Sequence, residues 1–204
     1  MIITKIESVT KVKYKIYVEE QFAFAVYKGE LSRFHLREGG EISEDTIQLI
    51  KSEVLLKRAK MRAMHLLNDM ARTEEQLRQK LRNNGYPEDV TEEALAYVKS
   101  FGYINDEVYI RNFVESRKDK KSRREIYALL SQKGVKGEDV DRVLEEIYEE
   151  HSDREAIREL LRKKRWNPET ADEKERQKIY GYLVRKGFRY EDIRQVIQVS
   201  NWNA

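Results

Sequence analysis

Residues 73–95 read TEEQLRQKLRNNGYPEDVTEEAL, and the pattern returns twice, as SRREIYALLSQKGVKGEDVDRVL at 122–144 and EKERQKIYGYLVRKGFRYEDIRQVI at 173–197. With Gly85, Gly134 and Gly187 aligned, Leu77, Ile126 and Ile179 stand eight residues earlier, and Leu81, Leu130 and Leu183 four earlier. Such spacing is that of one buried helical face. A large apolar residue follows each glycine (Tyr86, Val135, Phe188), and then comes Glu-Asp-Val or Glu-Asp-Ile at 88–90, 138–140 and 191–193. Each part has a mechanical reading. The glycine falls where a helix ends in a left-handed residue, which costs any L side chain about 1–2 kcal/mol. Thr73 with Gln76, and Ser122 with Glu125, have capping-box spacing. In the third copy the helix starts earlier, near Asp172. The Glu-Asp pair opens the next helix, where carboxylates meet the positive end of the dipole.

Working outward, one more amphipathic helix precedes each copy, at 59–70, 108–117 and 156–161. Each repeat is then three helices in about 50 residues, a size that buries its apolar faces by stacking on neighbours. The stretch FGYINDEVY at 101–109 is a joint: Gly102 ends one repeat and Asn105 caps the next. The start of the chain has a different period. KVKYKIYV at 11–18 and FAFAVY at 22–27 alternate apolar and polar residues about a short polar turn, a β-hairpin signal. Residues 2–7 are a candidate third strand, and LSRFHLREGG closes this part at Gly39-Gly40. From Ser43 helical spacing takes over through Ile47, Ile50, Val54, Leu55, Ala59, Ala63, Leu66 and Leu67. The expected fold is mainly α, with tandem three-helix repeats forming an elongated curved solenoid and a small β-hairpin-containing N-terminal unit. The expected divisions are 1–42, 43–104, 105–150 and 151–204.

The chain has 204 residues, of which 38% are charged and 40% hydrophobic, with 9 glycines and 2 prolines. That composition favours many two-sided helices over a deep interior. Cysteine is absent, so disulfides, thiolate zinc sites and cysteine nucleophiles are excluded; a cytoplasmic setting fits. No apolar run approaches the roughly 18 residues of a membrane span. The net charge of +3 is unevenly spread, because residues 156–204 hold 12 basic and 7 acidic groups. The positive field therefore concentrates in the last quarter.

Two cationic clusters stand out. Arg117, Lys118, Lys120, Lys121, Arg123 and Arg124 surround a single Asp119, and Arg162, Lys163, Lys164 and Arg165 adjoin Trp166. Each is either a solvated helix terminus or a phosphate-contacting patch that gains by releasing counterions. Arg176 and Lys178 add to the same quarter. Tyr127 and Tyr180 occupy equivalent positions and serve either inter-repeat packing or base stacking. Trp166 and Trp202 are candidate partner anchors. The three Glu-Asp pairs are read as helix starts and not as acid–base or metal carboxylates. Glu145, Glu146, Glu149 and Glu150 form an acidic helix face. His35, His65 and His151 share no metal-ligand spacing. Neither a nucleophile elbow nor a phosphate loop is present, so no catalysis, metal or cofactor is expected.

The three-helix repeat, its glycine–apolar–Glu-Asp joints, and FGYINDEVYIRNFVESR at 101–117 resemble the RecX family, modulators of the RecA recombinase. The hairpin start followed by SRFHLREGGEIS is similar to the N-terminal extension of longer members, so the resemblance covers nearly the whole chain. Two places depart from it: Ile110 stands where a small residue is expected, and KKRWNPETADEKER lengthens the third repeat. The resemblance implies a non-catalytic regulator that binds the RecA–single-stranded DNA filament and restrains recombinase, ATPase and co-protease activities in DNA repair and the SOS response. It implies a monomer whose partners are the RecA filament and single-stranded DNA, without a membrane. The rival reading is an architectural nucleic-acid-binding repeat protein that acts without RecA.

Overall fold

The computed structural model describes residues 1–150, 153–168 and 170–198. His151 and Trp202 lie outside these residues, as do the side chains of Glu149 and Glu150. The chain divides into two compact units, 1–105 and 106–204.

The first unit opens with a three-stranded antiparallel sheet in the order β1 (Ile3–Thr10), β2 (Lys13–Val18), β3 (Gln21–Tyr27). Alternation sets its register. Ile16 pairs with Phe24 and Tyr14 with Val26, and Ile16, Phe24 and Val26 are fully buried. Glu19 and Glu20 both sit at positive φ (48° and 66°) in the β2–β3 turn, the hand that matches strand twist. The candidate first strand is real and runs on to Thr10. A short helix, α1 (Lys28–Arg33), follows β3 directly; Glu30 accepts the Tyr27 amide at 2.7 Å and so caps it. Six residues are too few to show a helical period, which is why the sequence reads as a loop there.

Ser43 caps α2 (Glu44–Ile50), accepting the Thr46 amide. The rod continues through a π-helical turn at Lys51–Leu55 into α3 (Leu56–Asp69). The π turn has a packing reason. Ile50 and Leu55 are five apart, which puts them on different faces of a regular α-helix; the wider turn brings both inward, and both are fully buried. Ala59, Ala63 and Leu66 extend the same buried face.

Repeat one is completed by α4 (Glu74–Asn83) and α5 (Glu88–Ser100). Repeat two is α6 (Asp106–Glu115), α7 (Arg123–Gln132) and α8 (Glu138–Glu150). Repeat three is α9 (Asp153–Lys163), α10 (Glu173–Arg185) and α11 (Tyr190–Gln198). Gly85, Gly134 and Gly187 have φ of 82°, 85° and 83°, as their place after α4, α7 and α10 requires. Tyr86, Val135 and Phe188 fold back and are buried. Glu88-Asp89, Glu138-Asp139 and Glu191-Asp192 lie in the first turns of α5, α8 and α11. The Thr73–Gln76 capping box is complete. At Ser122 only the serine half forms: its Oγ accepts the Glu125 amide at 3.1 Å, while the Glu125 carboxylate pairs with Lys121 instead of reaching back. Asp172 caps α10 through the Glu175 amide at 2.8 Å. Among the described residues no helix is long and apolar enough to cross a membrane.

Inside the second unit, repeat three closes tightly onto repeat two. Ser122 is fully buried, and its hydroxyl donates to the Lys186 carbonyl at 3.0 Å. A Cβ built on Gly187 would stand 2.7 Å from Ser122 Oγ. In the first unit the equivalent Gly85 meets β3, where a Cβ would stand 2.7 Å from that of Ala25; the Gly85 carbonyl accepts the Ala25 amide. Ser122→Ala removes both the cap and the bond to Lys186. The expected loss is about 1–2 kcal/mol, read by urea unfolding of the full chain.

Candidate nucleic-acid interface

Repeats two and three enclose a groove of about 770 Å³ in the second unit. The start of α7 supplies Arg123, Arg124 and Tyr127, the end of α8 supplies Tyr148, the start of α9 supplies Asp153 and Arg154, the α10–α11 turn supplies Phe188 and Arg189, and the first turn of α11 supplies Asp192. Ser122 and Gly187 hold these helix ends together, so the arginines of two repeats face one space. The lining carries four arginines against two aspartates.

Their partners differ. Arg154 Nε is 3.0 Å from Asp192 Oδ1, and Arg123 reaches Glu145 at 3.7 Å. Arg124 and Arg189 are exposed and make no ion pair among the described residues. Asp153 Oδ1 accepts the Arg123 amide at 3.0 Å. Burial raises the Asp153 pKa; that amide opposes the rise and the Asp192 charge adds to it. Burial likewise pushes the Tyr148 phenol up, with Asp153 contributing. Tyr148 donates to the Lys121 carbonyl at 3.4 Å. The groove therefore gathers four guanidinium groups, two carboxylates and two half-buried tyrosines around one space.

The aspartate gives a test of this electrostatics. A raised carboxyl pKa penalises the folded state above it, and the penalty vanishes once pH falls below the unfolded value. Asp153→Asn keeps an acceptor for Arg123. The variant is expected to melt higher than wild type at neutral pH. The gap should shrink as pH falls into the ordinary carboxylate range, measured by thermal denaturation across pH.

The structure splits the residues singled out in the sequence. Arg123 and Arg124 line the groove. Lys120 is exposed and unpaired among the described residues, as are Lys178 and Arg165. Arg117 is spent locally: its guanidinium lies 3.8 Å over the Phe113 ring and donates to the Phe113 carbonyl. Lys118 pairs with Glu115 at 2.9 Å, and Lys121 with Glu125. In the second cluster Arg162 is bidentate to Glu159 at 2.8 Å, and Lys163 joins at 3.0 Å. Hydrogen bonds from Arg162 and then Lys163 hold that carboxyl down at about 2. Lys164 lies 4.3 Å over the Tyr182 ring. Arg176 donates to the Ala171 and Pro168 carbonyls. Trp166 is half-buried against the core of repeat three, so only part of its ring faces outward.

The two clusters do not share the groove. Arg154 and Arg162 stand at opposite ends of α9, about 12 Å of helix apart. Tyr127 is half-buried and lines the groove, whereas Tyr180 packs on the third core with its ring tilted 38° to that of Tyr190 at 5.6 Å. Of the acidic face, Glu145 and Glu146 pair with Arg123 and Arg111. Arg154 and Tyr148 carried no sequence signal; each is an ordinary polar position until three helices converge.

Comparison with known proteins agrees with this architecture. Models of the first, second and third three-helix domains of RecX match residues 59–97, 105–144 and 152–197. The fold and its repeats thus define a RecX-type tandem of three-helix domains. A regulatory protein RecX from Caldanaerobacter subterraneus subsp. tengcongensis is 33% identical over 202 residues, covering 98% of this chain and all of the relative. One from Clostridioides difficile is 28% identical, covering 96% and 94%. A crystal structure of a regulatory protein RecX superposes with a TM-score of 0.59 at 27% identity, covering 97% of this chain and 98% of that one. The chain belongs to the RecX family of regulatory proteins.

Proposed function

We propose that this protein binds the RecA filament on single-stranded DNA and restrains strand exchange, ATP hydrolysis and co-protease activity, acting in the cytoplasm as a non-catalytic monomer in DNA repair and the SOS response. The observation that carries the reading is the groove between repeats two and three, whose Arg124 and Arg189 are exposed, make no ion pair among the described residues and are accessible to phosphate. Membership in a family of regulatory proteins supports a partner that is regulated over one that is chemically altered. Lys120 and Lys178 extend the positive surface. Trp166 offers its outward edge to protein.

The test is the ATPase of RecA on single-stranded DNA, titrated with this protein. Inhibition at levels far below those that saturate the DNA is the expected result. Inhibition that tracks DNA saturation alone would mean that the chain competes for DNA as an architectural binder, without RecA contact.

A further inference from the structure

The first unit holds a knot of cations that its own fold leaves unbalanced. Lys13, at the start of β2, pairs across the sheet with Tyr27. The Arg58 guanidinium lies 4.5 Å over the Tyr27 ring and pairs with Glu30. Arg62 is one turn further along α3, on the same face, exposed and without an ion pair among the described residues. Lys13 is half-buried, and its Nζ donates to the Asn84 carbonyl at the end of α4. Burial lowers the Lys13 pKa, and the charges of Arg58, Arg62 and Lys15 lower it further. Tyr86, buried beside them, has its phenol pushed up to about 12, chiefly by burial and against the pull of Arg58.

Lys13, Lys15, Arg58 and Arg62 thus lie within reach of one another's charge, and among the described residues only Arg58 of the four has an ion pair, to Glu30. Packing alone does not call for this. Arg58 has its ring and its carboxylate, whereas the Arg62 charge opposes that of Lys13 without an ion pair of its own among the described residues. An ammonium and two guanidinium groups converging from a strand and a helix form a set that a tetrahedral dianion or a phosphodiester satisfies, because guanidinium forks match phosphate oxygens. Aliphatic or neutral ligands would leave the repulsion in place.

We infer that Lys13, Arg58 and Arg62 form a phosphate-binding site on the amino-terminal unit. The site is independent of the groove between repeats two and three and gives the β-sheet unit a share in holding nucleic acid. A polymer backbone and a free phosphoanion both present this chemistry, and the two are separable.

The full-length protein is compared with Arg62→Gln and with Lys13→Gln/Arg62→Gln. Glutamine at 13 keeps a donor for the Asn84 carbonyl, and residue 62 is exposed, so folding is retained. Two readouts are taken: the salt dependence of single-stranded oligonucleotide binding, and the melting temperature with and without inorganic pyrophosphate. The expected result is a salt slope flatter by about 0.7 for each lost contact, together with loss of the pyrophosphate-induced rise. A pyrophosphate effect that vanishes in the variants while the slope stays unchanged assigns the site to a free phosphoanion. If pyrophosphate does not stabilise the wild type and the slope is unchanged, the inference is overturned. RecA is absent from both measurements, so failure here leaves the proposed function standing, and failure of the ATPase test leaves this site standing.

Discussion

Replacing Lys120, Arg124 and Arg189 together by glutamine is expected to weaken single-stranded DNA binding roughly fifty-fold at about 0.15 M salt and to flatten the salt slope by about 2. None of the three makes an ion pair among the described residues. Arg124 and Arg189 line the groove, and Lys120, three residues before Arg123, is exposed. Each phosphate contact contributes about 0.7 to the slope, worth roughly fourfold in affinity at that salt. Thermal stability should stay near wild type, since exposed unpaired charges support little structure. The contrasting variant is Arg162→Gln/Lys163→Gln. Both side chains are held by Glu159 within their own helix, so the slope should change far less. A solvated turn predicts no change in either variant. Equal effects from both would mean that the ion pairs with Glu159 open on binding and that the groove is not privileged. RecA inhibition should weaken in step with the slope in the first variant. An unchanged inhibition there would place the filament contact on another face.

The largest stability loss is expected at Gly187→Val. A left-handed backbone costs a side-chain-bearing residue about 1–2 kcal/mol, and a β-branched one stands at the upper end. The new Cβ would also stand 2.7 Å from Ser122 Oγ, inside a joint with no room, which adds about 1–3 kcal/mol. Together the loss is roughly 3 kcal/mol, a large part of a domain's stability. Gly137→Val separates the two contributions. Gly137 has the same φ, 83°, but nothing lies within 4 Å of its Cβ position. Urea unfolding should show the smaller, backbone-only loss there. Equal losses at 137 and 187 would show that the joint gives way freely and that Ser122 is not pinned by the glycine.

Much of the helical architecture was legible because its signals are local. Leu81, Gly85 and Tyr86 recur as Leu130, Gly134 and Val135 and as Leu183, Gly187 and Phe188, and each triplet fixes a helix end by short-range sterics. The alternation of Ile16 and Val18 against Phe24 and Val26 fixed the hairpin in the same way. Two local features escaped. The helix Lys28–Arg33 is too short for periodicity, and the π turn at Lys51–Leu55 looks in sequence like an unbroken helical run. The candidate site was legible only in part. Arg123 and Arg124 announced themselves as a charge run. Arg154 and Arg189 sit in unremarkable helix starts and matter because Ser122 brings them together. Arg162 and Lys163 were equally visible as a charge run. Their carboxylate partner Glu159 lies three and four residues earlier, so the neutralisation was already written into the helix.

The joint between repeats two and three also bears on how such arrays lengthen over evolutionary time. It has two halves, a glycine at the end of one copy's second helix and a hydroxyl at the start of the preceding copy's second helix. The hydroxyl both accepts the Glu125 amide and donates to the Lys186 carbonyl. Copies one and two carry a capping hydroxyl in this place, Thr73 and Ser122, both fully buried. Copy three has Asp172 in the capping place, and its carboxylate accepts the Glu175 amide but has no proton to give. A duplication that inserted another copy of the middle repeat would therefore bring a working joint with it. A duplication of the third would place the newcomer against a cap that repels its carbonyl, and would survive only with a second change from aspartate to serine or threonine.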